Sequence, residues 1–122
     1  MTKLTLAKFL ILNYTLNKIH TIAQGNPEAI NRFNKLFVEQ TIDVDLLALK
    51  QSANKRDWAM VKELAHKMKP SLDIYEVTIG LEIIRELSNI GTQPKDEKHW
   101  LQMIDLLYSK LTEVKAGLLA KL

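Results

Sequence analysis

The chain is predicted to be all-helical, and two features of its sequence indicate this class. Only four glycines and three prolines interrupt its 122 residues, while leucine, isoleucine, lysine and glutamate, which suit helices, are frequent. Between the few turn signals, apolar residues recur three or four positions apart, as they do on the buried face of a helix. Together these features predict an antiparallel, up-down-up-down four-helix bundle with a short extra helix at its N-terminal side.

The first two helices are separated by Gly25-Asn26-Pro27. Glycine suits a helix C-terminus, asparagine an N-cap and proline the first helical position. We therefore expect a short amphipathic helix from Thr15 to Gln24 and a long helix from Pro27 to about Ala53. The apolar side chains expected to face the core are Leu16, Ile19, Ile22 and Ala23 in the short helix, and Ile30, Phe33, Leu36, Phe37, Val44, Leu47 and Ala48 in the long one.

Three further helices follow the polar break at 54–57. Asp57 is a suitable N-cap for a helix that starts at Trp58. The next helix is expected from about Val77 to Ile90, just before Gly91. In the last helix Asp96 and Glu97 occupy the first turn, where the helix dipole favours acidic side chains. Its apolar stripe comprises Trp100, Met103, Ile104, Leu107, Leu111, Val114 and Leu118.

Composition restricts the classes of function. The chain has no cysteine, which excludes thiolate chemistry and Cys-based metal sites. Its net charge of +3 is modest and its lysines are interspersed with acids, so no nucleic-acid interface is indicated. The apolar run at 9–12 is too short to span a membrane. We expect a cytoplasmic, monomeric protein with an N-terminal arm of uncertain structure at 1–14 and one domain at 15–122.

The third predicted helix carries His66, and helical geometry predicts which way this histidine faces. The buried stripe of this helix consists of Trp58, Val61, Ala65, Met68 and Leu72. At about 100° per residue, His66 points roughly 130° away from that stripe. It is therefore expected to be exposed. The side chains that share its face are Ala59, Lys62, Lys69, Pro70 and Asp73.

The neighbours of His66 suit a nucleophile that accepts a phosphoryl group. Lys62 lies one turn before it and Lys69 one turn after it. Nearby ammonium groups favour the neutral ring, which has a free nitrogen for attack, and would also offset incoming phosphoryl charge. Ala59 is small, so a partner's active site could approach closely. An exposed histidine without any function is the competing interpretation.

The stretch "DWAMVKELAHKMKPSL", residues 57–72, resembles the active helix of histidine-containing phosphotransfer (HPt) domains, whose usual pattern ends in A-H-x-L-K-G-S. The segments "YTLNKIHTIAQGNPEAINRFNKLFVEQT" and "LLALKQSANKRDW" are similar to the family's approach to that helix, so the resemblance covers about residues 14–120. It implies that His66 is the phosphoacceptor, that Lys69 stabilises the phosphoryl group and that Ser71 is the polar residue after it. Lys62 and Lys67 are expected to support them.

The resemblance implies a phosphorelay intermediate in two-component signal transduction. His66 would accept a phosphoryl group from the aspartyl phosphate of a response-regulator receiver domain, or from a hybrid sensor histidine kinase, and pass it to another receiver. Such a protein is a carrier, not an enzyme with independent turnover. It needs no cofactor, because Mg²⁺ belongs to the receiver. The candidates for partner docking around the histidine are Ala59, Glu63, Pro70 and Asp73.

Two departures from the family pattern affect local shape. Pro70 stands where glycine is usual, and because it has no N–H to donate to the carbonyl of His66, we expect a kink or local loosening. The family also tends to have a glycine where the active helix ends, whereas 74–77 contains none. The helix could therefore run longer or meet the next one differently. Asp73 and Tyr75 would either border the His66 face or be ordinary solvated residues.

Three other functions are possible. Glu63 and His66 form a Glu-x-x-His half-motif of di-iron bundles, and 96–99 contains a second, but the first faces away from the core, so no metal site is expected. His20 and His99 are expected to be structural or neutral surface residues. The chain could also be a helical adaptor that binds receiver domains without being phosphorylated. A basic nucleic-acid-binding module would need lysines and arginines of several helices to converge on one face.

Overall fold

The structure, a computed structural model, describes residues 14–121, and this part of the chain is all-helical without strands. The predicted arm lies outside it except for residue 14. The elements are α1 (Asn17–Ile22), α2 (Pro27–Leu36), a π-helical segment (Phe37–Leu46), α3 (Leu47–Asn54), α4 (Trp58–Ile74), α5 (Thr78–Leu87) and α6 (Glu97–Leu119). Because α2, the π-helical segment and α3 follow one another without a break, we call them together the long helix.

The predicted helix starts are confirmed by side-chain caps. Asn26, Asp57 and Asp96 each accept hydrogen bonds from backbone N–H groups two or three residues ahead, at 2.9–3.2 Å. Pro27 occupies the first turn of α2, where its missing N–H costs nothing. Asp96 precedes α6 as its N-cap instead of lying within the first turn, which Glu97 occupies. These caps fix the residues at which α2, α4 and α6 begin.

The buried stripe of α4 is the one that the sequence predicts. Trp58, Val61, Ala65, Met68 and Leu72 are each at most 3% exposed. In α6 the stripe from Ile104 to Leu118 is buried as well, while Trp100 and Met103 are half-buried. The helix α4 packs against both the long helix and α5, and α6 packs against α5 and the long helix. Each large apolar side chain buried in this way contributes about 1.5–3 kcal/mol relative to an exposed one.

The predicted stripe of the long helix is wrong for most of its length. Phe33, Leu36, Val44 and Leu47 are 37–62% exposed, Ile30 and Ala48 are half-buried, and only Phe37 is buried. For Val44 and Leu47 the reason is the π-helical segment, whose wider turn brings pairs of residues to one side every four positions. The buried residues of this segment and of α3 are Phe37, Val38, Thr41, Ile42, Asp45, Leu46, Leu49 and Ala53. In α1, Ile22 is also exposed, while Ile19 is buried and Ala23, which follows the helix, is buried too.

The C-terminal part of α4 contains Pro70 and is followed by a turn without glycine. The helix continues through Pro70 and ends at Ile74, so it is not extended by the missing glycine. Glu76 takes the left-handed conformation, with φ of 51°, that a glycine would adopt more easily. Its N–H bonds to the carbonyl of Asp73 and that of Val77 to the carbonyl of Leu72. Next, α5 begins at Thr78 and ends at Leu87, earlier than predicted.

None of the helices in the described part of the chain is both long and apolar enough to cross a membrane.

Candidate functional site

The helix α4 presents His66 to solvent, which confirms the orientation predicted from the spacing. The other five predicted members of this face are exposed too, and so is Glu63. We call the set Ala59, Lys62, His66, Lys69, Pro70 and Asp73 the His66 face. The buried stripe on the opposite side holds α4 in the core, so the exposed residues stand on a rigid support.

The polar groups of His66, Lys62 and Lys69 are available to a ligand. None of the three has a hydrogen bond or an ion pair with any residue between 14 and 121. The imidazole therefore has two ring nitrogens that no group of the described residues occupies, and along the helix it lies between two lysines. Such an arrangement can act as a nucleophile toward an electrophilic phosphorus and can stabilise the negative charge that arrives with it.

Lys67, predicted to support His66, is instead engaged by Asp45 of the long helix. Its Nζ lies 3.0 Å from Asp45 Oδ1, which also accepts a hydrogen bond from Gln40 Nε2 at 3.2 Å. The side chain of Asp45 is only 5% exposed, while that of Lys67 is 57% exposed. The ion pair thus neutralises the charge of Lys67 and links α4 to the π-helical segment.

Asp45 is the residue of this site that the sequence analysis missed. Regular α-helical spacing gives no reason to bury it, since the stripe predicted for the long helix passes through Val44 and Ala48. The wider π-helical turn rotates Asp45 toward α4. The signal in the sequence that could have suggested the pair is an acidic residue on the long helix together with a basic residue on the neighbouring helix α4.

Ser71 does not lie on the His66 face. It is half-buried on the side of α4 that meets the long helix, and it lines a cavity of about 270 Å³ between α1, the long helix and α4. The role implied by the resemblance, a polar residue beside the phosphoryl group, is therefore not evident from its position. Lys69 is exposed on the His66 face.

Tyr75 is buried, so both interpretations that placed it at the surface are wrong. Its hydroxyl donates to Asn34 Oδ1 at 2.9 Å, and its ring lies 4.1 Å from that of Phe37, centroid to centroid. Burial raises the pKa of the Tyr75 phenol above its ordinary value. The residue fastens the C-terminal end of α4 to the long helix.

The segment at 15–18 contacts the end of α4 next to the His66 face. Thr15 donates its backbone N–H to the carbonyl of Tyr75 and its hydroxyl to Glu76 Oε1. Lys18 Nζ lies 3.6 Å from Asp73 Oδ1. Asp73 is thus exposed but already paired with Lys18. Lys62 and Lys69 also lie on the His66 face, and neither forms an ion pair with an acidic side chain of the described residues.

The remaining histidines and acidic residues form no second centre. His20 and His99 are exposed, and His99 lies edge-on to Trp100 with ring centroids 5.0 Å apart. Within residues 14–121, no group of three or more His, Asp or Glu side chains is placed to hold a metal ion. Glu63 and His66 both point to solvent, as the spacing predicts.

Comparisons of the chain with protein-family models, with curated proteins and with solved structures found no match.

Proposed function

We propose that the protein is a phosphorelay intermediate of the HPt type, which carries a phosphoryl group on His66 between receiver domains. The observation that supports this most is the exposed imidazole of His66, which has no partner among residues 14–121 and lies between Lys62 and Lys69 on a helix anchored by a buried stripe. A nucleophile, its electrostatic support and an open approach are what a phosphoryl carrier must supply itself.

The chemistry consists of two phosphoryl transfers, one from a receiver to His66 and one from His66 to another receiver. A ring nitrogen of His66 attacks the phosphorus of an aspartyl phosphate on the receiver, the bond between phosphorus and the carboxylate oxygen breaks, and the aspartate leaves as a carboxylate. The N–H proton of the imidazole remains on its other nitrogen. In the second step an aspartate of another receiver attacks the phosphohistidine and the neutral imidazole is the leaving group. Mg²⁺ on the receiver neutralises the oxygens during both steps.

The three lysines have different roles, which depend on whether each one is already paired with an acidic side chain. Lys69 and Lys62 have ammonium groups that pair with none of the described residues and can bind phosphoryl oxygens, so we assign stabilisation of the phosphohistidine to Lys69 first and to Lys62 second. Lys67 is held by Asp45 and contributes mainly to the attachment of α4. Ala59, Glu63, Pro70 and Asp73 form the surface that a receiver would contact around the histidine.

The architecture that we propose is an antiparallel four-helix bundle of the long helix, α4, α5 and α6. Connections at 55–57 and 75–77 are short, which favours antiparallel neighbours. Each of the four helices contacts its neighbour in sequence, and α6 contacts the long helix, so contacts close around a common core. A bundle of this kind leaves the outer face of α4 uncovered.

A helical adaptor that binds receivers without phosphorylation is the alternative. It would use the same surface but not the nucleophile, so the two functions differ in what happens to His66. A nucleic-acid-binding module is less well supported, because many basic side chains are paired with acids. Within the described residues the pairs are Lys18–Asp73, Lys35–Glu39, Arg56–Glu97, Lys67–Asp45, Lys110–Glu113 and Lys115–Asp43.

Phosphorylation of the purified protein by phosphoramidate separates carrier from adaptor. We expect intact-mass spectrometry to show one added phosphoryl group that is labile in acid and stable in base. His66→Gln should abolish it, while His99→Gln, at another exposed histidine, should leave it unchanged. If the wild-type protein takes up no phosphate, or if His66→Gln is phosphorylated like the wild type, the carrier function is wrong.

A further inference from the structure

The cavity between α1, the long helix and α4 has features of a ligand site. Its volume is about 270 Å³. Most of its lining is apolar, contributed by Ile19, Ile22, Leu36, Phe37, Ile74 and Tyr75. Ile22 and Leu36 at its edge are 52% and 62% exposed, the two highest values among the large hydrophobic side chains of the described residues. The Phe37 and Tyr75 rings form one wall.

Three polar side chains that line the same cavity have atoms without a hydrogen-bond partner among the described residues. Thr41 is 5% exposed, yet its hydroxyl has no hydrogen-bond partner within residues 14–121. The hydroxyl of the half-buried Ser71 also has none in this range. Gln40 donates its Nε2 to Asp45, which leaves its carbonyl oxygen unused by the described residues. Among the described residues, Trp58 Nε1 is the one fully buried side-chain polar atom without a hydrogen-bond partner. The Thr41 hydroxyl is therefore not sealed from solvent, and a molecule in the cavity can reach it and bond to it.

The charge of the lining indicates which ligands fit. Among the described residues that line the cavity there is no Asp, Glu, Lys, Arg or His. An ionised ligand would lose its hydration there without gaining a counter-charge. A neutral ligand with an apolar body would instead replace water along the aliphatic and aromatic wall, and a single hydroxyl or amide group on it would reach Thr41, Ser71 or Gln40.

We propose that this cavity binds a small, neutral, mostly apolar molecule, aromatic or short-chain aliphatic, with one hydrogen-bonding end group directed at Thr41. A cavity of about 150 Å³ lined by aliphatic and aromatic groups is already large enough for benzene, so one of about 270 Å³ accommodates a substituted ring. This proposal does not depend on the proposed function, because it uses none of the chemistry of His66.

The test is a titration of the ¹⁵N-labelled protein with p-cresol, toluene and benzoate, followed by NMR. We expect p-cresol to shift the backbone amide signals of Thr41, Ser71 and Tyr75 and to bind about 3- to 10-fold more tightly than toluene, which lacks the hydroxyl. Thr41→Val should remove most of this advantage and leave toluene binding unchanged. Benzoate, which is charged, should bind far more weakly than p-cresol.

Two further variants keep the test decisive. Thr112→Val changes an exposed threonine on α6, whose hydroxyl bonds to the carbonyl of Tyr108, and should not alter binding. Ser71→Leu puts a larger apolar side chain into the cavity and should weaken p-cresol and toluene alike. The proposal is overturned if the cavity amides do not respond to millimolar p-cresol, if toluene or benzoate binds as tightly, or if these amides respond only to a receiver domain, which would make the cavity a protein-docking pocket.

Discussion

The pair formed by Lys67 and Asp45 allows a prediction whose sign is not obvious from the two charges. Removing the lysine should destabilise the protein more than removing the aspartate. Lys67→Met leaves the Asp45 carboxylate, which is 5% exposed, with only the hydrogen bond from Gln40. Asp45→Asn keeps an oxygen for Gln40 and leaves behind an ammonium group that is 57% exposed and can turn to water.

The magnitudes follow from these exposures. Removing one partner of a fully buried ion pair costs about 3–5 kcal/mol, because the other charge is left without compensation. Since Lys67 is partly solvated, we expect about 2–3 kcal/mol for Lys67→Met. For Asp45→Asn the stranded charge is the solvated one, and the loss should be about 1 kcal/mol. The double variant should resemble Asp45→Asn, because the buried charge is then absent.

Urea unfolding at neutral pH, followed by far-ultraviolet circular dichroism, measures all three free energies of unfolding. Lys62→Met is the matched control, since Lys62 has no ion-pair partner within the described residues, and it should change stability by less than about 0.5 kcal/mol. If Lys67→Met costs no more than Asp45→Asn, the carboxylate is not desolvated in the folded protein and the assignment of Asp45 as a buried anchor fails.

Three other substitutions test the anchoring of α4 and of the long helix. Tyr75→Phe should lower the free energy of unfolding by about 1–3 kcal/mol, because it leaves the buried Asn34 Oδ1 without its donor; Tyr108→Phe, at an exposed tyrosine, should lower it by less than about 0.5 kcal/mol. The raised pKa of Tyr75 also has a pH consequence: above pH 10 the unfolded chain releases the phenol proton and the folded chain keeps it, so stability should fall as pH rises, and Tyr75→Phe should make this alkaline decline shallower. Glu76→Gly should raise the urea midpoint by the equivalent of about 0.5–1 kcal/mol, since φ of 51° suits glycine; a lower midpoint would mean that the bond from Thr15 outweighs the strain. Asn26→Ala should lower the free energy of unfolding by about 1 kcal/mol in the same assay, and no change would show that the cap of α2 contributes nothing.

Local rules were sufficient for most of the helix starts and for the face of α4. Asn26 and Asp57 cap the helices for which they were chosen, because an N-cap depends on bonds within three residues of the chain. The direction of His66 also follows from five buried residues on its own helix. Such features need no knowledge of the rest of the fold.

The long helix and the end of α4 could not be predicted in the same way. A regular period of 3.6 residues placed Val44 and Leu47 in the core, whereas the π-helical segment turns Asp45 and Leu46 inward. Which residues of the long helix face inward depends on the α4 side chains that pack against it. Likewise, Glu76 takes a backbone conformation normally reserved for glycine because Val77 is drawn into the core. Both are cases in which tertiary packing overrides local preference.

The central claim is tested most directly by following a radiolabelled phosphoryl group through the protein. A purified receiver domain carrying ³²P on its aspartate, with Mg²⁺, is mixed with the protein, and a second receiver is added afterwards. We predict that label passes to the protein and then to the second receiver. His66→Gln should block both transfers, and Lys69→Ala should slow them. If His66→Gln relays label as well as the wild type does, or if the wild type binds receivers but never acquires label from them, His66 is not a phosphoryl carrier and the adaptor is the better account.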